Sequence, residues 1–319
     1  MFNTIRIEKG LYNISGKTFT QALTDMDPDD NYVGTNLEGL DAFERQLKRF
    51  DIKVNGEGCD RVEKFFATTE SAVLFPEFVR RTIKAGLDEA SILPEIVAAR
   101  TYTDGIDYRG LTVESNGDSI VVADGGEIPV TNVRLASSAS TLTKFARRLS
   151  CSYEAFRKQR IEAFAVILKN LGGEISRAVN KAACDALMAD VTPATIAGNA
   201  LTYGELADFW GTMTNYDMTT IVTTPSAMAN ILALEEMKCV NSTGKVKTPF
   251  GVNIIKCANL ANDVAIGVDK TAALEMIYGS DVVVDFDKLI STQCDEISAS
   301  ITVGFSKLTN DAVKAIETA

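Results

Sequence analysis

The sequence contains no histidine. That absence removes Ser-His-Asp and Cys-His catalysis, the commonest general base at neutral pH, and every imidazole-bound metal. Carboxylates and lysines remain for acid–base work, but nothing around Lys84 or Lys288 marks either as an activated amine. The chain also lacks G-x-G-x-x-G, the P-loop, H-E-x-x-H and G-x-S-x-G. Its six cysteines (Cys59, Cys151, Cys184, Cys239, Cys257 and Cys294) include no C-x-x-C pair. Free thiols in a reducing compartment are therefore expected, rather than zinc or a disulfide framework. No apolar run approaches the roughly 20 residues of a membrane span, and the N-terminus has no apolar signal-peptide core. Positive charge is in deficit, 32 Lys and Arg against 43 Asp and Glu, which argues against sequence-specific nucleic-acid binding. Together these absences predict a soluble protein made in a cytoplasm, not an enzyme, with no cofactor, no metal and no membrane partner. The acidic run Asp25 to Asn31 reads as a turn, because it lacks the order, central glycine and closing glutamate of a calcium loop.

What is present is a large apolar fraction, 46% of 319 residues, enough for a sizeable core and about two domains. The central stretch predicts one long amphipathic helix from Ser152 to about Ala189. Phe164, Ile167, Leu168, Leu171, Ile175, Ala178, Val179, Ala182 and Ala186 recur at helical spacing, and Ser152 is the expected N-cap. Gly172-Gly173 is expected to weaken it and permit a bend. Basic residues crowd its start, among them Lys144, Arg147, Arg148, Arg157 and Arg160. They read either as a solvated face with spaced ion pairs or as a face that meets acidic protein or DNA.

Before the helix, Thr35 and Glu38 have capping-box spacing and open a helix bearing Leu37, Leu40, Phe43, Leu47 and Phe50. A short helix is expected over 60–66 and another from Ser71 to Ala85, with Gly86 as its C-cap. Nothing in residues 1–98 reads as a compact core, so this stretch is expected to be an arm that buries its helices on something else. Arg100 to Ser140 has turn signals at Asn116-Gly117-Asp118 and Asp124-Gly125-Gly126-Glu127, and predicts an extended hairpin with too few apolar residues to fold alone. After the long helix, Thr202 and Glu205 open a helix carrying Leu206, Phe209, Trp210 and Met213; Thr219 to Thr223 reads as a strand, and Pro225 starts a helix. Short strands are expected over 252–256, 264–268 and 273–278, which suggests a compact α/β lobe. Val282, Val284, Phe286 and Ile290, and then Ile297, Ala299, Ile301, Val303 and Phe305, alternate with polar residues as a long antiparallel pair with one buried face.

This succession resembles the tailed-bacteriophage major capsid proteins of the Hong Kong 97 fold. The residues that carry the resemblance are Ser71-Ala72-Val73-Leu74-Phe75-Pro76-Glu77-Phe78-Val79, then the β-rich loop and Leu149-Ser150-Cys151-Ser152-Tyr153-Glu154-Ala155-Phe156-Arg157 opening the helix. The lobe, the long β-pair and Gly304-Phe305 with Asp311-Ala312-Val313-Lys314-Ala315-Ile316 complete it. It covers residues 70–319 well and 1–69 poorly. It implies an α+β capsid fold: an N-arm over 1–98, an E-loop over 99–148, a P-domain over 149–189 and 281–306, and an A-domain over 190–280 and 307–319. It further implies pentamers and hexamers in an icosahedral virion shell around double-stranded DNA, touched non-specifically, with assembly in the bacterial host cytoplasm. The implied partners are other copies of the chain, portal and scaffolding proteins and a decoration protein. Many relatives lose an N-terminal scaffolding segment to a protease; with Met1 present, such a segment is expected still to be attached. An encapsulin-type nanocompartment is the alternative, although encapsulins begin with a helix where this chain has a long arm. The residues expected at assembly contacts are Glu114, Asp118, Asp124 and Glu127 on the loop, Arg147, Arg148 and Arg157 on the basic stretch, and Leu40, Phe43 and Leu47 on the arm.

Overall fold

The computed structural model describes residues 4–318 except 106, 116–120, 129, 138, 197–200, 240–245 and 261–263; at 107, 112–115, 131, 239 and 318 it describes the backbone alone. In chain order the α-helices are α1 (Phe19–Met26), α2 (Ala42–Arg49), α3 (Thr69–Glu89), α4 (Tyr153–Lys158), α5 (Ile161–Met188), α6 (Tyr203–Gly211) and α7 (Pro225–Ala233). The strands are β1 (Val97–Tyr102), β2 (Asp107–Tyr108), β3 (Leu111–Ser115), β4 (Thr131–Leu135), β5 (Ser140–Thr141), β6 (Thr143–Ser152), β7 (Ala194–Ile196), β8 (Thr220–Thr223), β9 (Asn253–Lys256), β10 (Val264–Val268), β11 (Leu274–Leu289), β12 (Cys294–Lys307) and β13 (Val313–Thr318). They fall into two compact units. The first gathers Met1–Ala90, Ala146–Ile175 and Val282–Ser300; the second gathers Ser91–Phe145, Ser176–Asp281 and Ile301–Ala319.

In the first unit the N-terminal segment builds a core of its own, contrary to the expected unsupported arm. Ile7, Phe19, Leu23, Tyr32, Phe43, Leu47, Val62 and Phe65 are all buried. The capping box that starts α2 is Asp41 with Glu44, whereas Thr35 and Glu38 lie in turns. The Thr35 hydroxyl instead donates to the Tyr32 carbonyl. Asp27, from the acidic turn, accepts from Arg45 Nε at 2.6 Å and from the Tyr32 hydroxyl, and the Arg45 guanidinium lies 4.2 Å from the Tyr32 ring centroid. Asp25 pairs with Lys17 and Asp29 with Arg45, so that run is held by protein cations. An aromatic cluster joins pieces far apart in sequence: Phe75 meets Phe65, Phe156, Phe164 and Phe286 with ring centroids 5.4–6.3 Å apart.

The predicted single helix from Ser152 is two. Ser152 does cap α4, but Gln159 is extended. The Gln159 carbonyl accepts from the Val62 N–H and the Ile161 N–H donates to the Asp60 carbonyl, so the backbone here is bonded to 60–62 instead of continuing the helix. Gly86 is not a C-cap either; it lies inside α3, which continues to Glu89. A Cβ on Gly86 would sit 2.2 Å from the Lys169 carbonyl oxygen, and one on Gly172 would sit 2.1 Å from the Ile83 carbonyl oxygen. The two glycines let the backbones of α3 and α5 touch, a use of Gly172 that its low helix propensity does not reveal.

Glu77 of α3 is fully buried and accepts from Thr20, Arg80 and Arg81 at 2.6–2.9 Å. Burial pushes its carboxyl up, but the hydrogen bonds from Arg80, Thr20 and Arg81 outweigh that and hold it below the usual carboxylate range. A depressed folded-state pKa contributes stability above the unfolded-state pKa and loses it as pH falls through the folded value. Acid unfolding monitored by circular dichroism is therefore expected to show a steep loss of stability below the ordinary carboxylate range. That slope should shrink in Glu77→Gln, and an unchanged slope would exclude this assignment.

In the second unit a five-stranded sheet has the order β7-β13-β10-β8-β9, with β10 antiparallel to both β13 and β8, and β8 parallel to β9. Thr202 caps α6 in a full capping box with Glu205, and Thr224 caps α7 with Pro225 at its first position, as the sequence predicts. Leu206, Phe209, Ile221, Ile231, Met237, Ile254 and Ala265 form the core of this lobe, while Trp210 stays 45% exposed. A second sheet has the order β1-β11-β12-β6, and its two long strands run through both units. On β12 Ile297, Ala299, Ile301 and Val303 are buried, but so are Glu296, Ser300 and Gly304 on the other face, and Phe305 is half-buried, so the strand is covered on both sides instead of one. On β11 the alternation holds for Val282 but fails further on: Phe286 is 39% exposed, and Ile290, in the turn before β12, is 83% exposed.

Candidate assembly surfaces

The expected hairpin is present as the antiparallel ribbon β3–β4, with Leu111 opposite Leu135 and Val113 opposite Val133. Because side chains alternate along a strand, Leu111, Val133 and Leu135 share one face. That face is bare: Leu111 is 50%, Val133 57% and Leu135 66% exposed. Beyond it, Ile128 and Val130 are 74% and 61% exposed. A two-stranded ribbon with a naked apolar face is not stable on its own in water, so it calls for a covering surface. Its root is firmly held within the second unit. Tyr108 donates to the buried Glu275 carboxylate at 2.7 Å, Thr101 donates to the same oxygen, and Gly110 lies where a Cβ would strike the Ser306 hydroxyl. The ribbon is thus anchored at its root, while Leu111, Val133 and Leu135 lie open along it.

Of the loop carboxylates, Asp124 and Glu127 are exposed and flank a turn closed by the Gly126 N–H donating to the Ala123 carbonyl. Glu114 lies in β3 opposite Asn132, with its side chain outside the described residues, as is Asp118 altogether.

Residues 136–291, just under half of the chain, match the phage capsid protein family. No curated protein matches the sequence. Among solved structures, a virus-like particle from Pyrococcus furiosus is similar with a TM-score of 0.54 at 13% identity, over 76% of this chain and 98% of that one. The protein of Microbacterium phage Oxtober96 gives 0.52 at 12% identity over 72% and 91%. The capsid of cyanophage P-SCSP1u gives 0.50 at 12% over 72% and 88%. The chain has the fold of these capsid and virus-like-particle proteins, and residues 136–291 carry the match to the phage capsid protein family. At these identities the solved structures establish the fold, and the family match supplies the coarse function, that of a capsid shell protein.

The structure of this capsid protein redistributes the other predicted contacts. Phe43 and Leu47 are 3% and 6% exposed and Leu40 is half-buried, all inside the first unit, so they are covered within one subunit instead of offered to another. The Arg81 guanidinium sits over the Phe43 ring at 4.4 Å. Arg147 and Arg148 are exposed but already carry carboxylate partners from their own chain, Glu174 at 2.7 Å and Glu296 at 3.1 Å. Arg157 lies exposed over Phe66, at the rim of a groove of about 600 Å³ floored by Phe66, Phe75, Phe156 and Phe286. Sequence reasoning missed the bare ribbon face, although the cross-strand register of Leu111 and Leu135 follows from a hairpin with its turn near 123–126.

Proposed function

We propose that this capsid shell protein assembles as pentamers and hexamers into an icosahedral particle enclosing double-stranded DNA, and that the ribbon β3–β4 of one copy lies on a neighbouring copy. The naked face of Leu111, Val133 and Leu135 supports this reading, because a single chain leaves it without cover. In this proposal residues 99–148 act as the intersubunit loop, with Asp124 and Glu127 facing the basic stretch around Arg147, Arg148 and Arg157. Portal, scaffolding and decoration proteins are the further partners, with assembly in the host cytoplasm. The acidic net charge suits a container that must not grip its genome. A nanocompartment with protein cargo is the second reading, supported by the similarity to the Pyrococcus furiosus virus-like particle. Electron micrographs of the purified protein, with the contents of its particles analysed, test both. Shells holding DNA support the first, shells holding protein the second, and small discrete particles overturn both.

Two further outcomes follow from the loop. Asp124→Lys/Glu127→Lys is expected to make assembly salt-sensitive or abolish it, since each exposed pair contributes under about 1 kcal/mol but recurs at every subunit. Shells of this variant that form normally at all salt concentrations, judged by sedimentation, would rule out docking by charge. No lysine occurs between Lys84 and Lys144, and the only cations from Arg100 to Ser140 are Arg100, Arg109 and Arg134. A guanidinium stays protonated and cannot attack an amide. Lysine–asparagine cross-linking through this loop is therefore not expected. Particles boiled in detergent and reductant should run as a single monomer band on a denaturing gel, and a covalent ladder would contradict this.

A further inference from the structure

Two cysteines that form no motif in the sequence meet in the second unit. Cys184 lies in α5 and Cys257 just after β9, and their sulfurs are 4.0 Å apart. Both are free thiols, 1% and 5% exposed. The Cys184 S–H points at the Cys257 sulfur, which also accepts from the Asn259 N–H. Lys181, one turn before Cys184, and Asp185, the residue after it, are paired with each other at 2.6 Å and are the charges beside the pair. Two cysteines this close and this sheltered pack as ordinary apolar residues in a reducing compartment. A disulfide needs its sulfurs at about 2.05 Å, so the two side chains have a gap of about 2 Å to close.

We propose that Cys184 and Cys257 form an oxidation site that closes an intrachain disulfide when the protein meets a peroxide outside a reducing compartment. The hydrogen bonds from Cys184 and Asn259 favour the anionic form of Cys257 against the opposing effect of burial, so Cys257 is the attacking sulfur. Its thiolate takes one oxygen from hydrogen peroxide and releases hydroxide, leaving a sulfenic acid. The Cys184 sulfur then displaces that oxygen, the S–S bond forms, and the departing hydroxide leaves as water with the Cys184 proton. In sum, two thiols and one peroxide give one disulfide and two waters; the sulfurs lose two electrons and the peroxide gains them. The bond would tie α5 to the end of β9 and close the loop between 184 and 257, which constrains the unfolded chain. The inference stands on a single subunit and does not depend on the shell reading.

The test is to treat the full-length folded protein with hydrogen peroxide, then denature it in an alkylating reagent and map its peptides by mass spectrometry. The expected result is a linked 184–257 peptide pair and two fewer alkylatable thiols, both reversed by dithiothreitol, with a melting temperature several degrees higher in the oxidised protein. Cys257→Ala should leave Cys184 alkylatable after the same treatment. The proposal is overturned if both thiols stay free, if they accumulate as sulfinic acids, or if either is linked to a different cysteine instead.

Discussion

Gly172→Ala is expected to destabilise the protein by about 3 kcal/mol, although the change raises intrinsic helix propensity by about 1 kcal/mol. The added methyl would stand 2.1 Å from the Ile83 carbonyl oxygen and 2.8 Å from the Leu87 nitrogen. Both are backbone atoms of α3, so no rotamer change relieves the clash and the two helices must separate. Separation loosens the layer in which Ile83, Leu168 and Leu171 are buried. Gly204→Ala, in α6, is the matched control, because its new Cβ meets nothing within 4 Å and its φ is not positive. That substitution should be neutral or stabilising by a few tenths of a kcal/mol up to about 1 kcal/mol. Urea unfolding of the two variants beside the parent checks the contrast, and equal midpoints for both would show that the helices are not held in backbone contact.

Val133→Asp/Leu135→Asp is expected to leave the subunit folded and to abolish shells. Both side chains are more than half exposed in the single chain, so a carboxylate at either costs little there. Covered by a neighbour, each apolar side chain would contribute about 1.5–3 kcal/mol. Losing both weakens every subunit contact by roughly 3–6 kcal/mol, which is a factor of at least 100 in affinity at about 1.4 kcal/mol per tenfold. An unchanged far-ultraviolet circular dichroism spectrum with only small species in sedimentation velocity is the predicted result. Normal particles from this variant would refute the role given to the ribbon.

Features set by neighbours in sequence were legible before the structure. The Thr202–Glu205 capping box and Pro225 at the start of α7 each depend on residues a few positions apart, and each is found in place. What escaped depends on residues far apart. Helix α4 stops at Gln159 with neither proline nor glycine to announce it, because the backbone of 60–62 takes over its hydrogen bonds. Thr35 and Glu38 had capping-box spacing, but Asp41 and Glu44, six residues on, occupy the helix start that packing selects. Residues 1–98 looked coreless because their apolar side chains are too sparse in any one window; Phe75 becomes core only when Phe156, Phe164 and Phe286 reach it. Among the candidate contacts, the exposed loop carboxylates Asp124 and Glu127 were readable from turn chemistry. The burial of Phe43 and Leu47 was not, since an amphipathic helix does not say whose surface covers it.

The three-piece make-up of the first unit also sets a timetable for biosynthesis. Its earliest piece ends at Ala90 and its last at Ser300. At about 5–20 residues per second, a ribosome needs roughly 10–40 s to cross that interval. For that time the emerging chain carries Phe75 without its Phe286 partner, and the groove-side rings of Phe66 and Phe75 are open to any other nascent copy on the same message. Subunits made at high density therefore begin life as clients for chaperones, and slow or interrupted translation between 90 and 300 should raise aggregation far more than the same delay placed after 300.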